Sequence, residues 1–336
     1  MRVLQRKILV VIVNYRSAEL TLSALASLAR ERSDPSLDIT ALVVENASGD
    51  EAILQRGIET HYGDFAQLVL SPVNGGFGAG NNLGFRTAHA QGLVPDYVHM
   101  LNPDTEVKPG AIGALVRFLD AHPKAGLASG SFEHQDGSPW PIAFRFPSIS
   151  SELETGFRLR LVSRFLGGRA VARTMGDEPE RVDWCSGASM MVRREVLESV
   201  GGFDERFFLY FEEVDLCLRI KAAGWEIWYV PDSRVMHVRG QSTGVTALDQ
   251  APQRLPAYWF ESRRRYFVKH HGALYAGLAD AAALLSGSFG ALKDRLKRIP
   301  STPHLLRDLA AQSVLWPQNR ALPEAEYYVL PPASLS

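Results

Sequence analysis

The sequence predicts an α/β protein with a largely parallel sheet that helices cover on both faces. Over the first hundred residues, short β-rich apolar runs alternate with helical patterns, which is typical of such a sheet. The pattern changes after Gly126, where scattered strands and polar stretches follow. With 336 residues, the chain is long enough to bury a large core without disulfides or a structural metal.

Each element of the first half follows from its own pattern. Ser17 is a plausible N-cap for a helix in which leucines recur at helical spacing, so a βα unit opens the chain. A second striped helix follows Pro109-Gly110. The predicted strands are Ile8 to Val13, Ile39 to Val44, Gln67 to Leu70 and Tyr97 to Leu101.

The second half begins with a polar, proline-containing stretch from about Glu133 to Arg181, which predicts a functional lid or a disordered segment. Regular structure then returns, and residues beyond about Ala251 form a helical extension. We therefore expect a main domain over residues 1–250, with halves 1–125 and 126–250, and an extension over 251–336. The later predicted elements are the run Ala188 to Val192, helices Glu195 to Val200 and about Glu213 to Ala223, and a strand Glu226 to Val230.

Composition excludes several classes of protein. The 36 Lys and Arg residues balance 37 Asp and Glu residues to a net charge of −1, so no basic surface for nucleic acid is expected. Cys185 and Cys217 fit neither a disulfide framework nor a zinc site, which favours a reducing cytoplasm. The segment Ala273 to Leu292 contains glycines and Asp280, so we expect that it does not cross a membrane, although it could lie on one.

Polar residues follow three of the predicted strands. They are Asn14-Tyr15-Arg16, Glu45-Asn46 and Asn102-Pro103-Asp104-Thr105. Ligands of open parallel sheets bind beyond the carboxyl ends of the strands. Each group alone is typical of a turn, but the three together favour a polar ligand site.

A glycine-rich stretch runs from Asn74 to Asn82 after the third strand. Its spacing matches neither a dinucleotide fingerprint nor a phosphate loop. The glycines could allow close approach of the backbone to a ligand, with Asn81 and Asn82 opening a helix whose N-terminus favours phosphate. A plain flexible turn explains the same residues equally well.

Two acidic groups suggest chemistry. Asp104, at a strand end, could hold Mg²⁺ or Mn²⁺ together with substrate phosphates, and His237 could add a ligand, although an isolated histidine is more often simply hydrogen-bonded. The cluster Glu212, Glu213 and Asp215 follows an aromatic run, which would raise a carboxyl pKa toward that of a general base. The acidic first turn of a helix is the alternative explanation.

These motifs resemble family 2 glycosyltransferases, particularly the rhamnosyltransferase-like branch, over about residues 7 to 245. The resemblance implies the GT-A fold, a Rossmann-like mixed sheet flanked by helices, with residues 1–125 binding the nucleotide sugar and 126–250 the acceptor. It also implies inverting, metal-assisted sugar transfer. The matching segments are Val13 to Tyr15, Val44 to Asp50, Asn74 to Asn82, Leu101 to Thr105, Trp184 to Ala188, Gly201 to Phe208 and Glu212 to Leu216.

The resemblance also implies roles for individual residues. Glu213 matches the inverting base, with Glu212 and Asp215 as rivals because this chain has Glu where Asp is usual. Asp104 and His237 match the metal ligands. The implied donor-binding residues are Asn14, Arg16, Glu45, Asn46, Asn82 and Asn102, and those on the acceptor side are Trp184, Gly187, Glu212 and Asp215.

The function implied is transfer of a sugar, L-rhamnose from dTDP-rhamnose, to a glycan or lipid-linked saccharide in cell-surface polysaccharide synthesis, with Mg²⁺ or Mn²⁺ as cofactor. A UDP-hexose or UDP-N-acetylhexosamine donor is one alternative, and a catalytically inactive sugar-binding module is another. A nucleotidyltransferase would need a second carboxylate pair and a basic phosphate loop, which the sequence does not contain.

The C-terminal extension carries Arg263, Arg264, Arg265 and Lys269 before its Ala-rich segment and Lys293, Arg295, Lys297 and Arg298 after it. This pattern predicts either peripheral contact with the cytoplasmic face of the inner membrane or a soluble helical pair packed on the main domain.

Overall fold

The computed structural model describes residues 5–134, 136–140, 142–166, 170–237, 254–298 and 303–322. Its first half contains β1 (Arg6–Asn14), α1 (Ala18–Glu31), β2 (Leu37–Glu45), α2 (Glu51–His61), β3 (Ala66–Leu70), α3 (Gly76–Ala90), β4 (Tyr97–Leu101), β5 (Thr105–Val107) and α4 (Ala111–Ala121). Its second half contains β6 (Ala125–Glu133), β7 (Pro139–Trp140), β8 (Ala143–Phe144), α5 (Ile149–Phe157), α6 (Arg160–Leu166), β9 (Glu180–Arg181), β10 (Trp184–Cys185), β11 (Ser189–Arg193), α7 (Arg194–Val200), α8 (Glu212–Ala222), β12 (Glu226–His237), α9 (Ala257–Leu296) and α10 (Pro303–Gln312), followed by a 3₁₀ turn at Pro317–Asn319.

The main sheet is mixed, with strand order β3-β2-β1-β4-β11-β6-β12-β5. Strands β1 to β4 are parallel neighbours, whereas β11 runs antiparallel to both β4 and β6. Asn14 pairs in register with Glu45, and Ile12 pairs with Leu101. The polar residues that follow β1, β2 and β4 therefore meet at one edge of the sheet, as the sequence predicts.

Two apolar cores lie on opposite faces of this sheet. Successive side chains of a strand point to opposite faces, so Val10 and Ile12 pack with α1 and α4, while Leu9 and Val11 pack with α3 and the second half. All four side chains are buried. This arrangement confirms the expected mixed sheet with helices on both faces.

The start of α1 differs from the prediction. The Ser17 side chain does not cap the helix within the described structure, but instead donates to Asn14 Oδ1 at 3.1 Å. Asp50 Oδ2 accepts the hydrogen bond from the Ala18 amide at 3.1 Å. A carboxylate from the distant loop after β2 thus satisfies this helix end, which no local pattern could indicate.

The stretch from 133 to 181 is more regular than predicted, because it contains α5 and α6. Ser148 and Ser151 form a reciprocal capping box at the start of α5. These helices are only nine and seven residues long, so their apolar periodicity is too short to detect in the sequence. The strand predicted to end at Val230 also continues through Pro231 to His237, with a register shift between Tyr229 and Arg234.

Helix α3 begins at Gly76, so Asn81 and Asn82 lie in its interior and do not open it, contrary to the prediction. The glycines have a packing role. A Cβ at Gly80 would lie 2.6 Å from Val13, and one at Gly84 would lie 2.6 Å from Val11. Because glycine has no Cβ, α3 can lie directly on β1, and β1 carries residues of the sheet edge.

Helix α9 is kinked at Gly272, whose φ of 81° interrupts the helical backbone. The segment before the kink packs Tyr266 and Phe267 against Phe207 and Val214 of the main domain. The segment after it packs on α5. Across the described ranges, we find no helix with the length and apolar character required to span a bilayer.

Candidate active site

An open pocket of about 720 Å³, part of it open to solvent, lies at the carboxyl ends of β1, β2 and β4. Asn46 and Asn102 contribute polar groups to its walls, and four aromatic residues also line it. The other lining residues are Val13, Tyr15, Asn74, Gly76, Phe77, Pro103, Phe208, Leu209 and Tyr258. The pocket combines flat apolar surface with a few polar groups, a combination suited to a small ligand with a planar ring.

Asp104 and His237 form a buried pair beside this pocket. Asp104 follows Pro103 of the pocket wall, and β12 places His237 in register with Thr105. Asp104 Oδ1 and His237 Nε2 are 3.2 Å apart. The rings of Phe132 and Trp140 pack on the imidazole, with centroids 6.0 and 5.0 Å from it, and fix its orientation.

This pair fits a cation site completed by a ligand. Within the described ranges, both carboxylate oxygens of Asp104 and both ring nitrogens of His237 lack hydrogen-bond partners, although all four atoms are buried. Buried polar atoms without partners are costly, and a bound cation would satisfy them. The described residues include no cluster of three metal-ligating side chains, so further ligands would come from a substrate or from water.

Helix α8 begins with two acidic residues, Glu212 and Glu213, directly after a strained turn. Tyr210 and Phe211 have φ values of 68° and 66°, in the left-handed region that non-glycine residues rarely adopt. Burial, followed by the charge of Glu213, raises the pKa of Glu212 well above its ordinary value. Burial raises the pKa of Glu213 to about 7, as a general base near neutral pH requires.

Asp215 has a different environment in the same helix. Its buried carboxylate accepts hydrogen bonds from Arg219 at 2.9 Å and His270 at 2.7 Å, and it forms an ion pair with Lys269 at 2.5 Å. Burial alone would raise the pKa of Asp215, but the hydrogen bond from His270 and the charges of Arg219 and Lys269 outweigh it and hold that pKa well below its ordinary value. This carboxylate is thus held in a network that joins α8 to α9.

Gly187, one of the residues predicted on the acceptor side, lies next to Glu213. A Cβ at Gly187 would be 3.1 Å from the Phe77 ring and 3.9 Å from Cβ of Glu213, so Gly187 lies between a pocket wall and this carboxylate. Trp184 donates from its indole nitrogen to the Arg145 carbonyl at 2.9 Å and stacks on Phe144. These contacts hold the Trp184 ring in a fixed orientation.

Among the predicted donor residues, Asn46 and Asn102 line the pocket. Asn46 also donates to Asn74 Oδ1 at 2.9 Å and thereby holds the segment that precedes α3. Glu45 is buried and accepts a hydrogen bond from the Ser48 amide at 2.6 Å. Arg16 is exposed, with its guanidinium 5.2 Å from the centre of the Tyr15 ring.

Asn14 and Asn82 are fully buried, and their amides are hydrogen-bonded within the protein. Asn14 donates to Asp50 at 2.9 Å and accepts from Thr21 at 2.8 Å. Asn82 donates to the Phe203 carbonyl and accepts from the Phe203 amide, each at 2.9 Å. These contacts join the sheet edge to the loop after β2 and join α3 to the loop before α8.

Several pocket residues were not predicted from the sequence, in particular Tyr258 from the C-terminal helix α9. Its ring stacks on Tyr210 at 6.1 Å and lies 5.3 Å from Phe208. In the sequence, the aromatic run before α8 indicates only apolar surface next to the acidic residues. Tyr258 follows Pro256 at the start of a helix, and nothing in that pattern indicates contact with a site about 150 residues earlier.

Known proteins resemble this chain over most of its length. The model of the family "Glycosyltransferase like family 2" matches residues 5–255. An N-acetylglucosaminyl-diphospho-decaprenol L-rhamnosyltransferase of Mycobacterium tuberculosis is 33% identical over 267 residues, which cover 76% of this chain and 77% of that protein. The rhamnosyltransferase WbbL of Escherichia coli is 27% identical over 56% of this chain and 69% of its own length.

Solved structures share the fold at low sequence identity. A mannosyltransferase of Pyrobaculum calidifontis in complex with GDP-Man and Mn²⁺ aligns with a TM-score of 0.53 at 18% identity, over 94% of this chain and 82% of its own. GalNAc-T7 with UDP, GalNAc and Mn²⁺ aligns with a TM-score of 0.56 at 15% identity, over 92% of this chain but only 58% of its own. The chain belongs to glycosyltransferase family 2 and is a glycosyltransferase with the GT-A fold.

Proposed function

We propose that this glycosyltransferase transfers L-rhamnose from dTDP-rhamnose, with inversion, to a hydroxyl of a lipid-linked saccharide in the synthesis of a cell-surface polysaccharide. The observation that carries the proposal is the arrangement of two distinct acidic sites around one pocket. Asp104, paired with His237, directly follows Pro103 of the pocket wall, and Glu213 lies beside Gly187, which is next to Phe77 of the wall. Sugar transfer needs charge to be handled at both the leaving group and the attacking hydroxyl.

The pocket itself is assigned to the nucleotide sugar. Tyr15, Phe208 and Tyr258 offer aromatic surface to a planar base, and Asn46 and Asn102 offer amide groups to polar atoms of the donor. Asn14, Glu45 and Asn82 would act by positioning these walls through the hydrogen bonds described above. Arg16, at the exposed rim, could contact a phosphate or ribose oxygen.

Asp104 and His237 would hold a divalent cation, Mg²⁺ or Mn²⁺, which neutralises charge on the departing nucleoside diphosphate. Their buried and unsatisfied atoms, in the part of the chain described, support this assignment. Further ligands would be oxygens of the donor diphosphate and water. The Mn²⁺ named in the titles of the two structural neighbours belongs to those proteins and is consistent with the proposal.

Glu213 is assigned as the general base. Its carboxylate would take the proton of the acceptor hydroxyl while that oxygen forms a bond to the anomeric carbon, and the bond from this carbon to the diphosphate breaks on the opposite face. The pKa of about 7 leaves a substantial fraction of Glu213 deprotonated at neutral pH. Glu212, Gly187 and Trp184 would shape the acceptor side, and Asp215 would hold α8 in place.

The choice of donor and acceptor rests on the mycobacterial relative, whose name states an L-rhamnosyl donor group and an N-acetylglucosaminyl-diphospho-decaprenol acceptor. A cytoplasmic position at the inner membrane would bring such an acceptor and a nucleotide sugar together. A UDP-hexose or UDP-N-acetylhexosamine donor is the second candidate, because no described side chain by itself selects thymine over uracil.

A donor panel tests this function. The full chain is incubated with dTDP-rhamnose, UDP-glucose or UDP-N-acetylglucosamine and a short-chain polyprenyl-diphospho-N-acetylglucosamine, and the product is identified by mass spectrometry and NMR. We expect turnover with dTDP-rhamnose and an inverted anomeric centre. If only a UDP-sugar is turned over, the donor is that UDP-sugar and not dTDP-rhamnose. If every donor binds and none is turned over, the protein is an inactive binding module.

A further inference from the structure

The outer face of α9 beyond the Gly272 kink carries a stripe of large apolar side chains. At 100° per residue their spacing keeps all six within about 60° around the helix and spreads them over about 33 Å. Leu274 is 82% exposed, Leu285 66% and Leu296 78%. We call this set the α9 stripe, and its members are Leu274, Leu278, Leu285, Phe289, Leu292 and Leu296.

The opposite face of the same segment packs on the protein through small residues. Ala276, Ala279, Ala283, Ser286 and Gly290 are buried. At this contact α5 approaches so closely that a Cβ added to its Gly156 would lie 2.0 Å from Ser286 Oγ. A helix that uses only its core-facing side would bury the large residues and expose the small ones. This segment buries its small residues and exposes its large apolar ones, which indicates that the stripe binds an apolar partner.

Helix α6 extends this apolar surface. Leu161 and Phe165, four residues apart on one helix face, are 79% and 90% exposed. The Phe157 ring, just before α6, packs on Phe289 of the stripe with centroids 5.4 Å apart. Lys293 donates to the carbonyls of Phe157 and Arg158 at 3.0 Å each. Helix α6 therefore begins beside the C-terminal half of the stripe.

The charge around this surface is positive. Arg160, Arg164, Arg295, Lys297 and Arg298 are exposed. Between residues 273 and 298 the two acidic side chains, Asp280 and Asp294, are both buried and ion-paired. Since the whole chain has a net charge of −1, these cations are concentrated locally.

The structure corrects the sequence prediction that cations flank both ends of this segment. Arg263 and Arg265, before the kink, are buried. Arg263 pairs with Asp280 and Glu152, and Lys269 pairs with Asp204 at 2.8 Å. The basic residues available to an outside partner therefore lie at the C-terminal end of α9 and on α6.

We propose that the α9 stripe, with Leu161 and Phe165, inserts into the interfacial layer of an anionic phospholipid membrane while the neighbouring cations contact its headgroups. Positive charge beside a helix face whose leucines are exposed within the described part of the chain matches such a surface. A second copy of the chain on the stripe is the alternative occupant, and the oligomeric state of the wild type and of the stripe variant distinguishes it. The proposal extends the proposed function by naming the surface that would hold the enzyme near a lipid-linked acceptor, and it rests on that function only for this purpose.

Vesicle flotation of the full chain tests the surface without donor or acceptor. The vesicles contain phosphatidylcholine with about a third phosphatidylglycerol. We expect the wild type to float and the double variant Leu285→Asp, Leu292→Asp to lose binding by about tenfold or more. Leu161→Asp with Phe165→Asp tests α6 independently. Ile53→Asp is the matched control, because Ile53 is an exposed apolar residue of α2 and its replacement should leave binding unchanged.

A charge variant separates the two components of binding. Arg295→Gln with Lys297→Gln should weaken binding to anionic vesicles and reduce its salt sensitivity, while binding to pure phosphatidylcholine stays the same. Wild-type protein that stays unbound to anionic vesicles would overturn the proposal. So would stripe variants that float like the wild type, or a wild-type dimer that the stripe variant converts to monomers without any vesicle binding.

Two readouts keep this proposal distinct from the proposed chemistry. Vesicle binding by a protein without sugar transfer would leave the surface intact and reject the function. Sugar transfer to a water-soluble acceptor without vesicle binding would reject the membrane surface and leave the proposed function intact. The stripe variants should keep their thermal unfolding midpoint and their rate with the soluble acceptor, because the replaced side chains are exposed and lie outside the pocket.

Discussion

Gly76 lies so close to Phe208 that a Cβ on Gly76 would come within 1.7 Å of the Phe208 carbonyl oxygen. The same carbonyl accepts a hydrogen bond from the Phe77 amide at 3.2 Å. Both residues of this contact line the pocket, so the first turn of α3 and the aromatic run before α8 are locked together at the donor site. The φ of +85° at Gly76 adds a second reason for glycine.

Gly76→Ala should therefore both destabilise the fold and damage the pocket. Gly49→Ala is a matched control, because Gly49 has a similar φ of +91° but open space around it. We expect the control to lose about 1 kcal/mol of unfolding free energy from backbone strain, and Gly76→Ala to lose about 3 kcal/mol or more. Denaturant unfolding measures both. Equal losses in the two variants would show that the backbone contact relaxes easily.

Glu213→Gln should reduce turnover by about 10²- to 10⁴-fold with little change in donor affinity, because it removes a proton acceptor and keeps the shape of the side chain. The rival Asp215 should behave differently. Asp215→Asn removes a buried negative charge that Arg219 and Lys269 share, and should cost about 3 to 5 kcal/mol of stability. Near-normal turnover of Glu213→Gln, with a folded but inactive Glu212→Gln, would move the base to Glu212.

The pH dependence of kcat/KM tests the raised pKa of Glu213. The deprotonated carboxylate is the active form, so kcat/KM should rise with pH up to about 7 and then level off. Glu213 should also make the fold less stable as pH rises from its ordinary pKa of 4.5 to about 7, since the folded state then holds the proton more tightly than the unfolded state. Glu213→Gln should remove both changes. A rate profile that rises near pH 4.5 would mean that Glu213 is solvated in the working enzyme.

Asp104→Asn tests the cation site by binding as well as by activity. We expect Mn²⁺ affinity in the presence of a nucleoside diphosphate to fall by about tenfold or more, with the far-UV circular dichroism unchanged. His237→Ala should act in the same direction. His134→Ala is a control on a second histidine that packs on Trp140, with ring centroids 4.4 Å apart. Unchanged Mn²⁺ binding in Asp104→Asn, measured by calorimetry, would reject the assignment.

Short continuous apolar runs, separated by helical patterns, were enough to predict the four parallel strands. A strand that is buried on both faces needs apolar residues at successive positions. Local patterns also placed α7 and α8 to within one residue at their starts. Local sequence patterns gave wrong predictions where a residue far away in the chain determines the local structure. Asp50 caps α1 in place of Ser17, and β1 explains the glycines of α3.

The sequence by itself determined the sheet edge at which Asn46, Asn102 and Asp104 gather, because parallel strands end together. Only the tertiary structure decided the different environments of the acidic residues in the first turn of α8. Glu213 keeps a raised pKa beside the pocket, whereas Asp215 is neutralised by Lys269 and His270 from α9. The tertiary structure was also needed to show that Tyr258 lines the donor pocket and that leucines of α9 are exposed to solvent. Each of these outcomes depends on contacts between segments far apart in the chain, and burial and pairing are properties of such contacts rather than of residue order.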